Sequence, residues 1–245
     1  MFRPVIFLHI LFSCFLTLLF TLPVKASDPH PCHKIDYWLG SVTLDAAYSM
    51  IEEIYDISDL CSEFNHTSLK KAQHNLLTNN SAANGWRSEY FINQFSDDIV
   101  YTDPVFTVNV TLFLNEEKYG TSPDLFSVTG QKIGYFLGDV YAVEELKKLG
   151  GIPVHGESFD KVIKSFLNGR TTAIIVPNTI FLDQTNIQNI NVNYTSHDLE
   201  PVYYRHVLHK DHEGLIPILN QAIPKMLQNG TLEERRAKLL SEKIN

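Results

Sequence analysis

The sequence has few cysteines and lacks the spaced motifs of several common enzyme classes. It contains three cysteines in 245 residues, and none forms a CxxC pair, which excludes a dithiol redox motif and a zinc ribbon. No HExxH, GxSxG or P-loop spacing occurs either, which argues against zinc proteases, α/β-hydrolases and Walker-type nucleotide-binding proteins. Of the ten histidines, four lie in predicted loops or on an exposed helix, namely His30, His33, His66 and His74. Three more, His206, His209 and His212, are spaced three apart without a helix to align them. We therefore expect no metal and no cofactor.

The chain also lacks a concentrated basic surface. Its formal net charge is −8, and its basic residues are scattered except within Glu233 to Lys238, where both signs occur together. We interpret that cluster as a solvated helix face. Because binding to nucleic acid needs basic side chains gathered on one face, we exclude nucleic acid as a partner.

Long apolar runs are absent after the first residues. Val5 to Leu22 is apolar almost throughout and follows a short basic start, and Val24-Lys25-Ala26 supplies small residues for signal-peptidase cleavage. We therefore predict a cleaved signal peptide over residues 1–26 and a soluble, exported product. A retained membrane anchor is the alternative, because the apolar run approaches the length that spans a bilayer.

Two cysteines remain once Cys14 has left with the signal peptide. An even pair in an oxidising compartment predicts a disulfide between Cys32 and Cys61. Two unpaired thiols are the alternative, because a sequence does not show whether the Cα atoms of two cysteines lie close enough for their sulfur atoms to bond.

The most informative segment runs from Gly130 to Ala173. Its pattern predicts a strand, a turn, a helix, a second strand, a second helix and the start of a third strand. The first strand is Gln131 to Phe136, and Ala142 to Leu149 has apolar residues at helical spacing. Ligands of open α/β sheets bind at such strand-to-helix turns, where helix N–H groups face outward. The turn Leu137-Gly138-Asp139 is therefore a candidate ligand contact.

The part before this segment predicts alternating strands and helices as well. Apolar spacing favours a helix over Leu44 to Tyr55 with Thr43 as its cap, and another over Ser68 to Leu77 with Thr67 or Ser68 as its cap. The predicted strands in this part are Lys34 to Leu39, Leu60 to Phe64, Ile99 to Tyr101 and Val105 to Leu114.

The order and spacing of these motifs resemble the periplasmic solute-binding proteins of family 3, the amino-acid-binding type that serves bacterial ABC importers. That family has a strand and turn of the form GKKIGV…G(S/T)…Y, followed by S…L..GRVDA. The matching positions here are Gly130 to Tyr141, Ser158, Leu167, Gly169, Arg170 and Ala173. A second match covers Tyr204 to Lys210 and Asn229 to Leu232. On these motifs the chain is identified as a divergent member of the family.

The resemblance implies an α/β fold of two lobes, of the type II periplasmic-binding-protein kind. Each lobe is a sheet flanked by helices, and two chain segments form a hinge between them. We place the first lobe at residues 27–114 together with 200–245, and the second at 115–199. The resemblance also implies a periplasmic location and a small-molecule ligand held between the lobes.

Two places in the first lobe could supply ligand contacts. Tyr37 and Trp38 end the first predicted strand, where aromatic rings can stack on a ligand, although a core position for Trp38 is an equal alternative. Trp86 and Arg87 follow the second helix, where the family's arginine meets a ligand carboxylate with its guanidinium fork. Because residues 88–98 are an insertion relative to the family pattern, a surface position for Arg87 stays open.

The second lobe offers the turn at Gly138 and Asp139, with Tyr141 just after it. The family has small hydroxyl residues here, whereas an aspartate caps a helix well but repels an anion, so a cap without ligand contact is the alternative. Pro177 stands where the family has an acid for a ligand's ammonium, which leaves Asn178 as a polar contact. We therefore predict that none of the twenty amino acids binds tightly and that the ligand is neutral, cationic or a carboxylate without an ammonium.

The function that follows from the resemblance is binding of a small solute outside the cytoplasm. The two lobes would close on the solute and deliver it to the membrane permease of an ABC-type importer. A ligand-sensing or docking partner of a membrane signalling protein is the alternative, favoured by the departures at Asp139 and Pro177. We expect no enzyme, and a dehydratase built on this fold is a less favoured alternative.

Overall fold

The structure is a computed structural model that describes residues 32–38, 40–121, 124–187 and 193–244. The predicted signal peptide, residues 1–26, lies outside the described residues. Within the described ranges, no helix is both long and apolar enough to cross a bilayer.

The first sheet has five strands in the order β2-β1-β3-β10-β4. These strands are β1 (His33–Tyr37), β2 (Ser62–His66), β3 (Ala83–Ser88), β4 (Ile99–Val108) and β10 (Val202–His209). The pairs that β1 forms with β2 and with β3 are parallel, and β10 runs antiparallel to both β3 and β4. The sheet is therefore mixed, with the returning strand β10 between β3 and β4.

Helices cover this sheet. They are α1 (Val42–Ile57), α2 (Leu69–Leu77), α3 (Glu89–Gln94), α8 (Ile216–Gln228) and α9 (Leu232–Ile244). Ser41 caps α1, because the Leu44 N–H donates to its Oγ at 3.1 Å; the prediction of Thr43 as the cap is wrong by two residues. Ser68 caps α2 as predicted, with the Lys71 N–H donating to its Oγ. Both caps satisfy helix N–H groups that have no intrahelical partner.

The second sheet has five strands in the order β7-β6-β8-β5-β9. They are β5 (Val110–Asn115), β6 (Lys132–Phe136), β7 (Ile152–Gly156), β8 (Ala173–Pro177) and β9 (Tyr194–Asp198). The associated helices are α4 (Glu116–Tyr119), α5 (Val140–Leu149), α6 (Phe159–Leu167) and α7 (Asn178–Ile187). The order of elements predicted from Gly130 to Ala173 is confirmed, and β7 and β8 both pair parallel with β6.

The chain passes from the first sheet to the second between Val108 and Val110, and returns between Asp198 and Val202. The sequence analysis ends the first lobe near Leu114, but β5 contains that residue and pairs with β8 and β9 of the second sheet. We therefore propose lobes of 32–108 with 202–244, and 110–198.

Strand β4 continues across Asp103-Pro104, where the sequence analysis divides it. Pro104 is tolerated because β4 is an edge strand, where a missing N–H costs no hydrogen bond to a further strand. The pairing of β4 with β10 shifts register next to Pro104.

The predicted disulfide between Cys32 and Cys61 is present, with Cα atoms 4.6 Å apart. It fixes the start of β1 beside the residue before β2, where the His33 N–H also donates to the Cys61 carbonyl at 2.8 Å. The covalent link therefore reinforces the register of the first sheet.

The two lobes share one continuous apolar core at helix α7. Phe181 of this helix stacks on Phe113 of β5 with ring centroids 3.9 Å apart, and both belong to the same cluster as Met50 and Ile51 of α1. The fully buried carboxylate of Asp183, also on α7, accepts hydrogen bonds from Thr43 Oγ1 (2.9 Å) and Arg236 Nε (2.9 Å). We call Thr43, Asp183 and Arg236 the α7 junction.

Candidate functional site

A cavity of about 60 Å³ lies between the two lobes. Pockets that hold drug-sized ligands measure roughly 300–1,000 Å³, so a molecule that fits this cavity has few non-hydrogen atoms. Aromatic and aliphatic side chains form most of the wall. Of the described residues that line the cavity, Arg87 and Asp139 are the charged ones.

The first lobe contributes Arg87 from β3. Its side chain is only 4% exposed, and its guanidinium carbon lies 4.7 Å from the ring centre of Trp38 and 4.5 Å from that of Phe91. This sandwich is a cation–π arrangement that fixes the plane of the guanidinium. The surface alternative for Arg87 is therefore wrong.

The hydrogen-bonding capacity of Arg87 is largely unused. Its Nη2 donates to the Leu69 carbonyl at 3.4 Å, while Nε has no hydrogen-bond partner among the described residues. Arg87 also forms no ion pair in the described part of the chain. Burial lowers the pKa of the Arg87 guanidinium to about 9, so the group is still cationic at neutral pH. The cavity therefore holds a cation whose partners are incomplete.

Two tryptophans complete this side of the cavity. Trp38 follows β1 and is 8% exposed, and Trp86 of β3 is 2% exposed. Their ring centroids are 4.8 Å apart. Trp38 belongs to the apolar core and also lines the cavity, so its contact with a ligand stays a prediction.

The second lobe contributes the turn between β6 and α5. Gly138 has φ +96°, and a Cβ added there would lie 2.8 Å from Leu69 Cδ2 of the first lobe. Glycine is therefore required both by the backbone conformation and by the close approach of the lobes. This contact narrows the cavity between the two lobes.

Asp139 caps α5, as the sequence predicts. The Ala142 N–H donates to its Oδ1 at 3.1 Å, and the side chain also lines the cavity. Removal of the carboxyl from water raises its pKa to about 6, although N–H groups of Ala142 and Tyr141 oppose this shift. Like Arg87, Asp139 has no ion-pair partner among the described residues.

Three predicted contacts lie away from the cavity. Tyr37 points to the other side of β1, as strand alternation requires for a neighbour of Trp38, and it stacks on Tyr48 at 4.1 Å. Tyr141 packs against Tyr90 at 4.9 Å and donates its hydroxyl hydrogen to the Glu200 carbonyl. Asn178 begins α7, and its N–H donates to the Asn109 carbonyl at the crossover between lobes. Pro177, the residue before it, does line the cavity.

Several cavity residues were not predicted as contacts. Tyr204 of β10 lies within the cavity wall and stacks on Phe106 at 5.3 Å; burial and the Asp139 carboxylate raise its pKa. Phe136 and Phe159 of the second lobe line the cavity as well. Tyr204 could have been suggested by its place in the returning strand, which the resemblance makes part of the hinge.

Two wider grooves adjoin the cavity. One, of about 750 Å³, passes Leu69, Gly138 and the starts of α2 and α6. The other, of about 600 Å³, runs between α3 and α5 and includes Asp139 in its wall. Asp139 is therefore only half-buried, and water reaches the cleft from that side.

The geometry gives no support to a metal centre. No group of three potential ligands of the His, Cys, Asp or Glu type occurs in the described ranges. His206, one of the three closely spaced histidines, is buried in β10 between the Gly85 carbonyl (2.8 Å to Nδ1) and the Tyr55 hydroxyl (2.9 Å to Nε2). Burial lowers the pKa of His206 to about 4. Its ring is therefore a neutral, fully bonded part of the first lobe.

No family model and no curated protein matches this sequence. Solved structures, in contrast, are similar to this chain in fold. The amino acid ABC transporter substrate-binding protein AbpA from Streptococcus pneumoniae, bound to L-arginine, superposes with a TM-score of 0.70 at 13% identity, over 87% of this chain and 97% of that chain. The GluR0 ligand-binding core from Nostoc punctiforme, in complex with L-glutamate, gives 0.70 at 12% identity, over 84% and 98%.

A third solved structure is similar to a comparable degree. The VFT2 domain of BvgS from Bordetella pertussis, in a double-mutant form, gives a TM-score of 0.69 at 12% identity, over 87% of this chain and 93% of that chain. At such low identity, these likenesses establish the fold and nothing finer. The chain has the two-lobed, periplasmic-binding-protein-like α/β fold that its motifs predict.

Proposed function

We propose that this protein binds a small monocarboxylate between its two lobes outside the cytoplasm and delivers it to an ABC-type importer. The observation that carries the proposal is the state of Arg87: a cation, 4% exposed, at the wall of the interlobe cavity with a free Nε and no counter-ion among the described residues. A buried charge is costly unless it is paired. A ligand carboxylate would supply that partner in the bidentate geometry that guanidinium favours.

The absence of an ammonium from the proposed ligand rests on the opposite side of the cavity. Pro177, a residue without a charge, lines the wall at the position where the resemblance places an acid. A ligand ammonium next to Pro177 would be removed from water without the acid that the family supplies at this position. The small volume of the cavity favours a short carboxylate, because a ligand with a bulky side chain would not fit.

Titration calorimetry with acetate, propionate and butyrate tests this proposal. We expect at least one of the three to bind the wild-type protein, and Arg87→Met to weaken that binding by about 100-fold or more, because a desolvated charge partner is lost. Arg170→Met is the matched control, since Arg170 is exposed after α6. Failure of all three acids to bind, or equal binding by the Arg87→Met protein, would contradict the proposal.

Export and delivery to a permease are the finer parts of the proposal. The Cys32–Cys61 disulfide supports an oxidising location, because such bonds persist outside the cytoplasm. The signal peptide proposed at residues 1–26 supports the same location.

A sensing or docking role is the second candidate, and the contacts between the lobes favour it. One apolar cluster joins the lobes at α7, and the α7 junction adds buried hydrogen bonds across them. These contacts stabilise closure without any contribution from a ligand. Small-angle scattering separates the two roles: a radius of gyration that falls on addition of the bound carboxylate supports delivery, whereas a protein equally compact with and without it supports docking.

A further inference from the structure

We infer that Asp139 takes up a proton when a carboxylate enters the cavity, so that the site binds an organic acid as a carboxylate and a proton together. This inference rests on the proposed function, because it concerns the same cavity. It goes further by assigning Asp139 as the residue that determines which ligand charge is accepted.

The first step is the balance of charge in the cavity. Arg87 contributes one positive charge and Asp139 one negative charge, and the other described lining residues are uncharged. A carboxylate that pairs with Arg87 therefore leaves the cavity with one excess negative charge. The walls are largely apolar, and an uncompensated charge in such surroundings is unfavourable. Protonation of Asp139 restores neutrality.

The second step is the environment of Asp139. The titratable and charged groups that face it are Arg87, Tyr204 and Tyr90 from the first lobe, and Tyr141, Glu144, Lys147 and Lys148 from its own helix. Glu144 and Lys147 neutralise each other in an ion pair at 2.6 Å, and Lys148 pairs in the same way with Glu145. Tyr204 and Tyr141 are neutral, because burial raises the pKa of each hydroxyl. Arg87 is therefore the one cation among these groups that is not already paired with a carboxylate, and in the proposed complex it pairs with the ligand.

The third step is the proton affinity of the Asp139 carboxyl. Its pKa is already raised to about 6 by removal from water, and a second anion in the same cavity raises it further. The groove between α3 and α5 reaches Asp139 from solvent, so the proton has a path that does not cross the cavity. The Arg87 guanidinium, with a pKa of about 9, keeps its charge throughout the range where Asp139 would titrate.

This arrangement selects ligands by charge. One cation and one proton balance a monocarboxylate, whereas a dicarboxylate would leave a further anion in an apolar cavity. The site accordingly favours monocarboxylates over dicarboxylates.

Calorimetry at two pH values tests the coupling. With whichever of acetate, propionate and butyrate binds most tightly, we expect the association constant of the wild type to fall about tenfold from pH 6.5 to pH 7.5. Titrations in buffers with different ionisation enthalpies should show uptake of nearly one proton per bound acid at pH 7.5. Asp139→Asn should bind with an affinity that is independent of pH and should take up no proton. Asparagine is as good a helix cap as aspartate, so this variant keeps the start of α5.

The outcomes separate the inference from the proposed function. Asp56→Asn, which changes an exposed aspartate in the first lobe, is the matched control and should behave as the wild type. Binding without proton uptake, or a pH dependence that persists in Asp139→Asn, would overturn the inference and leave the proposed function standing. Absence of binding by all three acids would overturn both.

Discussion

Two acidic side chains face the boundary between the lobes, and they differ in burial and in hydrogen-bond partners. Asp183 on α7 is fully buried, and its carboxylate accepts from Thr43 Oγ1 at 2.9 Å and from the Arg236 guanidinium at 2.8 and 2.9 Å. Asp139 at the start of α5 is half-buried and accepts only from N–H groups of its own helix. The first carboxylate has its partners within the chain, whereas the second has none across the cleft among the residues that the structure describes.

The two arginines nearby repeat the contrast. Arg236 is committed to Asp183, whereas Arg87 is stacked between Trp38 and Phe91 with its Nε free. Where charges are paired across the lobes, they hold the lobes together. Where charges line the cavity unpaired, they are available to a ligand. This difference indicates a structural role for the α7 junction, and the proposed function gives the cavity the binding role.

The largest effect expected from this comparison is the loss of Arg236. Arg236→Met leaves the Asp183 carboxylate buried without its ion-pair partner, and breaking a buried pair in this way typically costs about 3–5 kcal/mol. We expect the free energy of unfolding, measured with urea, to fall by an amount in that range. Lys238→Met, on the exposed face of the same helix, is the control and should be within about 0.5 kcal/mol of the wild type. If the free energy of unfolding of Arg236→Met changed as little as that of Lys238→Met, a structural role for the α7 junction would be contradicted.

Arg87→Met should not destabilise the protein in the same way. Its guanidinium has no carboxylate partner to leave behind, and methionine keeps apolar contact with Trp38 and Phe91. We expect a free energy of unfolding equal to or above that of the wild type, from the same urea titrations at pH 7. A loss as large as that of Arg236→Met would show that Arg87 is a structural residue rather than a binding one.

The same substitution at the two aspartates should have opposite signs. Asp183→Asn weakens charge-assisted hydrogen bonds and should lower the free energy of unfolding by about 1–3 kcal/mol. For Asp139, the folded pKa of about 6 exceeds the ordinary value of 3.8, so the folded state holds the proton more tightly. Its contribution to stability is complete at low pH and is lost as pH rises from about 4 to 6.

Asp139→Asn should therefore be more stable than the wild type above pH 6, by on the order of 1 kcal/mol, and should lose that advantage near pH 4. Urea unfolding at pH 4 and pH 7 measures both variants. Destabilisation by Asp139→Asn at pH 7 would contradict the view that this carboxyl lacks a partner.

Much of this architecture could be predicted from local patterns. The alternating strands and helices from Gly130 to Ala173 follow from hydrophobic periodicity, and the caps at Ser68 and Asp139 follow from side-chain chemistry near a helix start. The disulfide could be predicted because two cysteines, an even number, remain in an oxidising compartment. Each of these depends on neighbours in sequence.

What could not be predicted depends on register and on contacts between lobes. Tyr37 and Trp38 are adjacent, yet only Trp38 faces the cavity, because the face that each side chain takes is set by how β1 pairs and where α1 packs. Tyr204 lies in the cavity wall because β10 pairs between β3 and β4 of the first sheet, just after the chain returns from the second. The assignment of β5 to the second sheet likewise depends on long-range pairing with β8.

A further pH effect concerns a titratable group that is fully bonded. His206 has a folded pKa of about 4, below the ordinary value of 6.5, so the unfolded state takes up the proton first as the pH falls. Stability is complete above about pH 6.5 and is lost between that pH and about 4. We expect His206→Asn to flatten this acid limb of stability against pH, measured by thermal unfolding. An unchanged slope would contradict the assignment of a neutral, buried imidazole.

The most direct test of the central claim is calorimetry with matched pairs of ligands that differ only by an α-ammonium. The pairs are acetate with glycine, propionate with L-alanine, and butyrate with L-2-aminobutyrate, each titrated into the wild type and into Arg87→Met. The account predicts that a simple acid binds, that its amino acid binds about 100-fold more weakly or not at all, and that the binding disappears in Arg87→Met. Low-micromolar binding of any of these amino acids to the wild type would contradict it, and would mean that an acid in the cleft pairs with the ammonium.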